Sequence, residues 1–293
     1  MILRNSQELL LLLQGGLGNQ LLQLVLGESL AQAHGLRLVG SLALLESSSR
    51  SLRGLTSRRI SPLVGKRVPL VPRTWHRHVL ARITARIGRP LTRGVLTDSL
   101  LLAEANRGSS LLEQLAQIRV IHSHATHPNI FGAEFISAWQ AILQEIQFYR
   151  QECDVAIAIH VRRSDYLNPR SRFWTMGEPY YRRAIAKALM LLPTGSTPPI
   201  IHVCSDDPAW CQEHLQDPSW QLKIACGTPE QDLATMVEAQ VLITSNSSLS
   251  AIAGHLAQLR DPRTPVLTPG CWLRNPAGRL GDLRKPNWQV VIP

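Results

Sequence analysis

Apolar residues open the chain as a short block, Leu9 to Leu13, which ends in the polar, glycine-rich stretch Gln14-Gly15-Gly16-Leu17-Gly18-Asn19-Gln20. From Asn19 to His34 the apolar positions Leu21, Leu22, Val25, Leu26 and Leu30 recur at helical spacing, so the segment reads as strand, loop and helix. The region that follows is punctuated by Pro62, Pro69, Pro72 and Pro90, with one helix expected near Trp75 to Ile87 and another from Glu134 to Gln151. From Asp154 the pattern becomes regular. DVAIAIHV is a nearly continuous Val- and Ile-rich run, as expected of a strand buried on both faces of a parallel sheet. Helix 179–192, strand 200–204, helix 208–215, a short strand LKIAC, helix 229–239, strand 241–244, helix 249–258 and a last strand near 265–268 follow in alternation. That alternation is the βαβ pattern of a doubly wound α/β sheet.

The change of pattern places a domain boundary near Glu152. It gives an N-terminal domain over residues 1–152, a second domain over 153–270, and a tail over 271–293 whose Trp272 and Trp288 suggest a return to the first domain. A chain of 293 residues is long enough for two such cores. No apolar run approaches the roughly 20 residues needed to span a bilayer, and the N-terminus lacks the pattern of a signal peptide. Five cysteines form no CxxC pair and have no histidine partners at metal spacing, so a reduced, cytoplasmic protein without structural zinc is expected.

The net charge of +10 is unevenly spread: residues 47–97 hold twelve Lys or Arg and no Asp or Glu. Within that segment Val79, Leu80, Ile83 and Ile87 form an apolar stripe ringed by Arg77, Arg82, Arg86 and Arg89. A basic amphipathic helix can rest on an anionic membrane surface, and it can equally be a solvated face packed on its own domain. Nucleic-acid binding is disfavoured, because Trp75 is the one aromatic residue interleaved with these charges.

Three polar clusters carry the chemistry. His160-Val161-Arg162-Arg163-Ser164-Asp165-Tyr166, Ser205-Asp206-Asp207-Pro208 and Ser245-Asn246-Ser247-Ser248 each follow an expected parallel strand and precede its helix. Ligands of open parallel sheets bind beyond the carboxyl ends of the strands, so these clusters would line one crevice. Arg162 can offer a planar fork to phosphate oxygens. Ser247 and Ser248 bring free N–H groups and the positive end of a helix dipole, and Asp206 can accept two hydrogen bonds from a base edge such as that of guanine. Together these describe a site for a nucleotide diphosphate. No D-x-D is present, so the diphosphate charge would be met by arginine and N–H groups and no metal would be required. Each cluster alone has an ordinary structural reading, as a salt-bridged loop or a helix cap. Their coincidence at strand ends argues for a site.

The opening loop is neither a dinucleotide fingerprint, since Leu21 stands where glycine or alanine is needed, nor a P-loop, since the lysine is missing. Its amides, Asn19 and Gln20, suit sugar hydroxyls better than phosphates, with capping of the helix by Asn19 as the structural alternative.

Taken in order, GGLGNQLLQLVLGESLA, HVRRSDY, CSDDPAWCQEHL and DLATMVEAQVLITSNSSLSAIAG resemble the bacterial α-1,2-fucosyltransferases of glycosyltransferase family eleven, the cyanobacterial members especially. The resemblance runs from Gln14 to Gly254. It implies the GT-B type of α/β fold, two Rossmann-like domains facing across a cleft. It also implies GDP-fucose as donor, a β-galactoside acceptor and no required metal or cofactor. On this resemblance Arg162 binds the β-phosphate, with His160 and Asp165 shaping the same motif. Cys204, Ser205 and Asp206 lie at the nucleotide, Asn246, Ser247 and Ser248 at the donor, and Gly16, Gly18, Asn19 and Gln20 on the fucose and acceptor side. The chain departs from the usual motifs at Ser164, where glycine is common, at LLQLVL in place of MFQYAF, and at NSSLSAIAGHL, which lacks paired tryptophans. His122 to Pro128 also differs from the aromatic-rich equivalent.

The expected reaction is inverting transfer of fucose to the 2-hydroxyl of a terminal β-galactose, through an oxocarbenium-like transition state. Arg162 would stabilise the departing phosphate. Candidate bases are His124, His127, Asp165 and Glu28, with His124 favoured because a neutral imidazole near pH 7 suits the task. The rival readings are a fucosyltransferase of another linkage or acceptor, and a non-catalytic GDP-sugar-binding protein.

Overall fold

The computed structural model describes residues 7–45, 59–71, 94–105, 110–151, 154–193, 198–225, 227–274 and 282–292. The chain divides into two compact units, Met1–Ile142 and Leu143–Pro293. The division falls inside the helix Ile136–Ile146. The expected helix over 75–87, its apolar stripe and its arginines lie outside the described residues.

The first unit starts with β1 (Glu8–Leu12), α1 (Leu17–Ala33) and β2 (Arg37–Ser41). It continues through α2 (Pro62–Gly65), β3 (Val95–Thr97), α3 (Asp98–Ala105), α4 (Leu111–Gln114) and β4 (Val120–His122), and reaches α5 (Ile136–Ile146). The strands pair in parallel in the order β2-β1-β4-β3. Winding therefore reverses between β1 and β4. Helix α1 is buried on almost every side, including Leu21, Leu22, Leu24, Val25, Leu26 and Leu30. Its close approach to β2 is made at Gly27, where a Cβ would stand 3.0 Å from Leu38.

The second unit alternates β5 (Ile157–Val161), α6 (Glu178–Leu189), β6 (Ile200–Ser205), α7 (Pro208–His214) and β7 (Gln221–Ile224). It then runs through α8 (Pro229–Glu238), β8 (Val241–Ile243), α9 (Ser248–Arg260), β9 (Val266–Pro269) and β10 (Gln289–Val291). All its strand pairs are parallel, in the order β10-β9-β8-β5-β6-β7. That is the doubly wound order, with the switch point between β5 and β8. Every residue of β5 is buried, and Tyr180, Tyr181, Ala184 and Ile185 of α6 pack on Ile157, Ile159, Val161, Ile201 and Ile243. Burying one such aliphatic side chain contributes about 1.5–3 kcal/mol. The helices begin where the sequence supplies caps: Asp207 ahead of Pro208, a Thr228–Gln231 capping box, and Ser247.

The class is thus α/β, with two Rossmann-like parallel-sheet units. The tail's β10 extends the second sheet beside β9, and Trp288 is buried there against Gly254. Among the described residues no helix is long and apolar enough to cross a membrane.

Candidate functional site

The three polar clusters of the second unit meet at its switch point. β5 delivers His160, β6 ends at Ser205 and is followed by Asp206, and β8 is followed by Ser245 and Asn246. His160 Nδ1 lies 2.8 Å from Ser245 Oγ, which ties the end of β5 to the loop after β8. Burial, with help from the Arg162 charge, pushes His160 down to about 4, so its imidazole is neutral near pH 7. Tyr166 makes a second tie over the same gap, donating its hydroxyl to the Asn246 carbonyl at 3.1 Å.

Arg162 is held by carboxylates from both flanks. Nη2 donates to Asp165 Oδ1 at 2.6 Å, and Nη1 stands 2.9 Å from Asp206 Oδ2. The Tyr166 ring lies 5.7 Å from the guanidinium carbon. About a third of the Arg162 side chain stays open to solvent. Asp206 Oδ1 accepts the Arg163 N–H at 2.8 Å, while Oδ2 is buried without a hydrogen bond and faces Arg162 as an ion pair. Asp206 thus helps to orient the Arg162 fork. Arg163 does not share the role of Arg162. Its Nε donates to Asp207 at 3.1 Å and its guanidinium stacks 4.0 Å from the Trp210 ring, which clamps the loop after β6.

Other expected contacts serve the frame. Cys204 is fully buried and its thiol donates to the Asp232 carbonyl at 3.6 Å. Ser205 Oγ accepts the Asp207 N–H at 2.9 Å. Asn246 is buried and donates Nδ2 to the carbonyls of Trp174 and Trp272 at 2.7 and 2.9 Å, anchoring two loop segments that sequence reading did not connect with the site. Ser247 caps α9 by accepting the Leu249 N–H, and Ser248 stands half-buried in that first turn. What the arrangement offers a ligand is therefore the open part of the Arg162 fork and the amino end of α9, both suited to anionic oxygens.

The first unit presents a separate group of polar residues at its own strand ends. Gly15 adopts φ +79° and a Cβ there would stand 2.4 Å from Asn19 Nδ2, so the turn requires glycine and brings the Asn19 amide against it. Gly16 is exposed and caps α1 through its backbone, which places Asn19 inside the helix instead of at its cap. Gly18 is buried in the first turn. Gln20, expected on the sugar side, is tied into the surrounding backbone. It is 1% exposed, donates to the carbonyls of Gly15 and Arg59, and accepts the Ser61 N–H. Glu28 forms a two-toothed ion pair with Arg67 at 2.8 and 2.6 Å, and His127 accepts the Asn129 N–H at the start of a short 3-10 turn.

His124 is differently placed. Its Nδ1 lies 3.0 Å from Asp98 Oδ2, while Asp98 Oδ1 accepts the Ser123 hydroxyl at 2.6 Å and the His124 N–H at 2.8 Å. Burial opposes the charge on Asp98, but these hydrogen bonds and the neighbouring imidazole outweigh it and hold the carboxyl below its ordinary value. Asp98 was not among the expected site residues. Its signal in the sequence was slight: the first acid after a long basic tract, directly behind a three-residue strand. Among the described residues no group of three or more His, Cys, Asp or Glu side chains is placed to hold a metal ion.

Comparison with known proteins bears on the second unit above all. Residues 134–272 match the family model of Glycosyl transferase family 11. Mouse galactoside 2-alpha-L-fucosyltransferase Sec1 is 25% identical over 164 residues, covering 50% of this chain and 44% of the relative. Galactoside alpha-(1,2)-fucosyltransferase 2 of Pongo pygmaeus is 27% identical over 122 residues, 40% of this chain and 35% of the relative. The chain thus spans less than half the length of these curated relatives. Among solved structures, fucosyltransferase NodZ from Bradyrhizobium aligns with a TM-score of 0.45 and 16% identity over 84% of this chain and 93% of that one. The E. coli heptosyltransferase WaaC aligns with a TM-score of 0.47 and 12% identity over 97% and 92%. Arg162, Asp165, Asp206, Ser247 and Ser248 all lie inside the matched segment, and it is over residues 134–272 that the chain is similar to Glycosyl transferase family 11.

Proposed function

We propose that this chain is a family 11 fucosyltransferase that moves L-fucose from GDP-β-L-fucose to the 2-hydroxyl of a terminal β-galactoside, inverting the anomeric centre. The observation that carries the reading is the Arg162 fork at the switch point of the second sheet, inside the segment that matches the family model. The names of the curated relatives support the galactoside acceptor and the α-1,2 linkage.

In the proposed reaction the bond between fucose C1 and the β-phosphate breaks with its electron pair passing to GDP. Negative charge therefore grows on phosphate oxygens while the sugar becomes oxocarbenium-like. Arg162, already oriented by Asp165 and Asp206, stabilises that charge without rearranging. The first turn of α9, at Ser247 and Ser248, adds N–H donors and the positive end of its dipole. Charge neutralisation then needs no bound metal. His160 and Tyr166 act through position, keeping the ends of β5 and β8 in register around Arg162. We place the reaction in the cytoplasm, with the basic segment 47–97 as a peripheral contact to anionic membrane.

The test is incubation of the protein with GDP-fucose and a panel of β-galactosides in the presence of chelator, with the product linkage identified by NMR. An α-1,2-fucosylated galactoside is expected. Product in another linkage would transfer the reading to a sister activity, and GDP binding without any product would replace it with a sugar-nucleotide binder. Co-sedimentation with anionic liposomes over a salt series tests the membrane contact.

A further inference from the structure

Two loop segments of the second unit meet as a short antiparallel strap beside its switch point. Phe173 pairs with Leu273, the Trp174 N–H donates to the Trp272 carbonyl at 3.2 Å, and the Arg274 N–H donates to the Arg172 carbonyl at 2.8 Å. Asn246, buried just after β8, holds both segments by donating to the Trp174 and Trp272 carbonyls. Phe173 stacks on Tyr166 at 4.8 Å, and Tyr166 lies against Arg162, so the strap stands two ring contacts from the fork. That register sets Arg172 directly opposite Arg274, and both are exposed. Like charges so opposed are destabilising, and neither arginine has an ion-pair partner among the described residues. Each is nonetheless held in place. The Arg172 guanidinium carbon lies 5.0 Å from the Phe173 ring centre, and that of Arg274 5.4 Å from the Trp174 ring, with Arg274 Nε donating to the Phe173 carbonyl at 3.2 Å. Trp174 itself is 44% exposed.

We infer that Trp174 and the Arg172–Arg274 pair form an acceptor subsite, in which Trp174 packs on a sugar ring and the two arginines take an anionic substituent of the glycan. The inference rests on the fucosyltransferase reading and deepens it, since it makes the acceptor an acidic glycan. A local rule broken without compensation inside the fold marks a functional position, and two opposed, uncompensated arginines break one. An anionic oxygen group bound between them removes the repulsion and accepts charge-assisted hydrogen bonds from both. The open indole beside them offers apolar area to the C–H face of a pyranose, and Trp and Arg together are the residues that most often dominate recognition. Arg162 and the strap belong to the same unit, so the subsite borders the proposed donor phosphates without any contribution from the first unit.

The experiment measures fucose transfer, and binding by calorimetry with GDP present, for lactose, lactobionate and lactose sulfated at C6 of its galactose. The last two place an anion on either side of the same terminal galactose. The wild-type protein is expected to bind at least one anionic acceptor about two- to fivefold more tightly than lactose, the size of an exposed charge pair. That preference is expected to fade as salt rises. R172Q and R274Q should each reduce it, and W174A should raise KM for all three acceptors, while GDP affinity holds within about twofold. R172Q also relieves the opposed charges, so its thermal midpoint should be no lower than that of the wild type. Equal affinity of the wild-type protein for the three acceptors, a preference that survives both arginine variants, an unmoved KM in W174A or a lowered midpoint in R172Q overturns the subsite and leaves the fucosyltransferase reading in place. So does a fall in GDP affinity in the arginine variants, which would give the pair to the donor phosphates. An anion preference that the variants abolish, in a wild-type protein that transfers no fucose, removes the fucosyltransferase reading and keeps the glycan subsite.

Discussion

His160 and Ser245 stand 85 positions apart in the chain, yet their side chains meet at 2.8 Å where β5 and β8 diverge. The bond makes a buried, neutral histidine part of the fold, and that has a pH consequence. Its value is pushed from the ordinary 6.5 down to about 4, by burial first and by Arg162 second. Between those limits the unfolded chain binds a proton that the folded chain refuses, so stability falls as pH drops from 6.5 to about 4 and the loss is complete below. At about 1.4 kcal/mol per unit the loss is about 3 kcal/mol. His255, pushed to about 3 by burial and Lys285, acts with the same sign, and Asp232, raised to about 6 by burial, acts against it. The variant His160→Asn should therefore flatten, without abolishing, the acid side of a stability profile measured by urea unfolding. An unchanged slope would remove His160 from the account.

Arg162 gives the sharpest test of the proposed reaction. Arg162→Ala should lower kcat/KM by two to three decades, about 3 kcal/mol of transition-state stabilisation. Arg162→Lys keeps a charge but cannot span Asp165 and Asp206 as the fork does, so it should recover only part of the loss. Asp165→Asn should cost less than either, since Asp206 still holds Nη1. Steady-state rates with GDP-fucose and lactose decide the order, and a fully active Arg162→Ala would end the assignment.

Gln20 should behave as a structural residue. Its amide joins the turn at Gly15 to the chain at Arg59 and Ser61, and it is buried. Truncation leaves those backbone groups without their partner, which costs about 1–3 kcal/mol. Gln20→Ala should lower the thermal midpoint and leave the KM for GDP-fucose unchanged. A raised KM with an unchanged midpoint would restore Gln20 to the sugar side.

These cases mark what could be read in advance. The second sheet was legible because parallel strands buried on both faces are near-continuous apolar runs, and a helix start such as Asp207-Pro208 punctuates them. The convergence of the His160, Asp206 and Ser245 clusters followed from strand order alone. By contrast β3 and β4 hold three residues each, too few to show a period, so the adjacency of Asp98 and Ser123 was hidden. Residue type alone does not say what Gln20 or Asp206 serves, because an amide or carboxylate near a ligand loop can bind the ligand or brace the loop. Strand β10 was missed because its three residues are isolated behind a polar tail.

That tail carries the last prediction. Gly254 on α9 would place a Cβ 2.8 Å from Cζ2 of Trp288, whose indole N–H reaches Gln258 at 3.0 Å. The ring is rigid and hydrogen-bonded, so Gly254→Ala cannot be absorbed by a side-chain rotation and should cost about 1–3 kcal/mol as overpacking. Trp288→Ala removes the buried ring and should cost about 3–5 kcal/mol. If the two residues make one contact, the new methyl fits the space the ring vacates. The double variant should then be no less stable than Trp288→Ala alone, a coupling of the size expected between touching residues, about 0.5–3 kcal/mol. Denaturation midpoints of the four proteins measure it. Strict additivity would mean that the tail is not seated on α9, and the pairing of β10 with β9 would lose its main support.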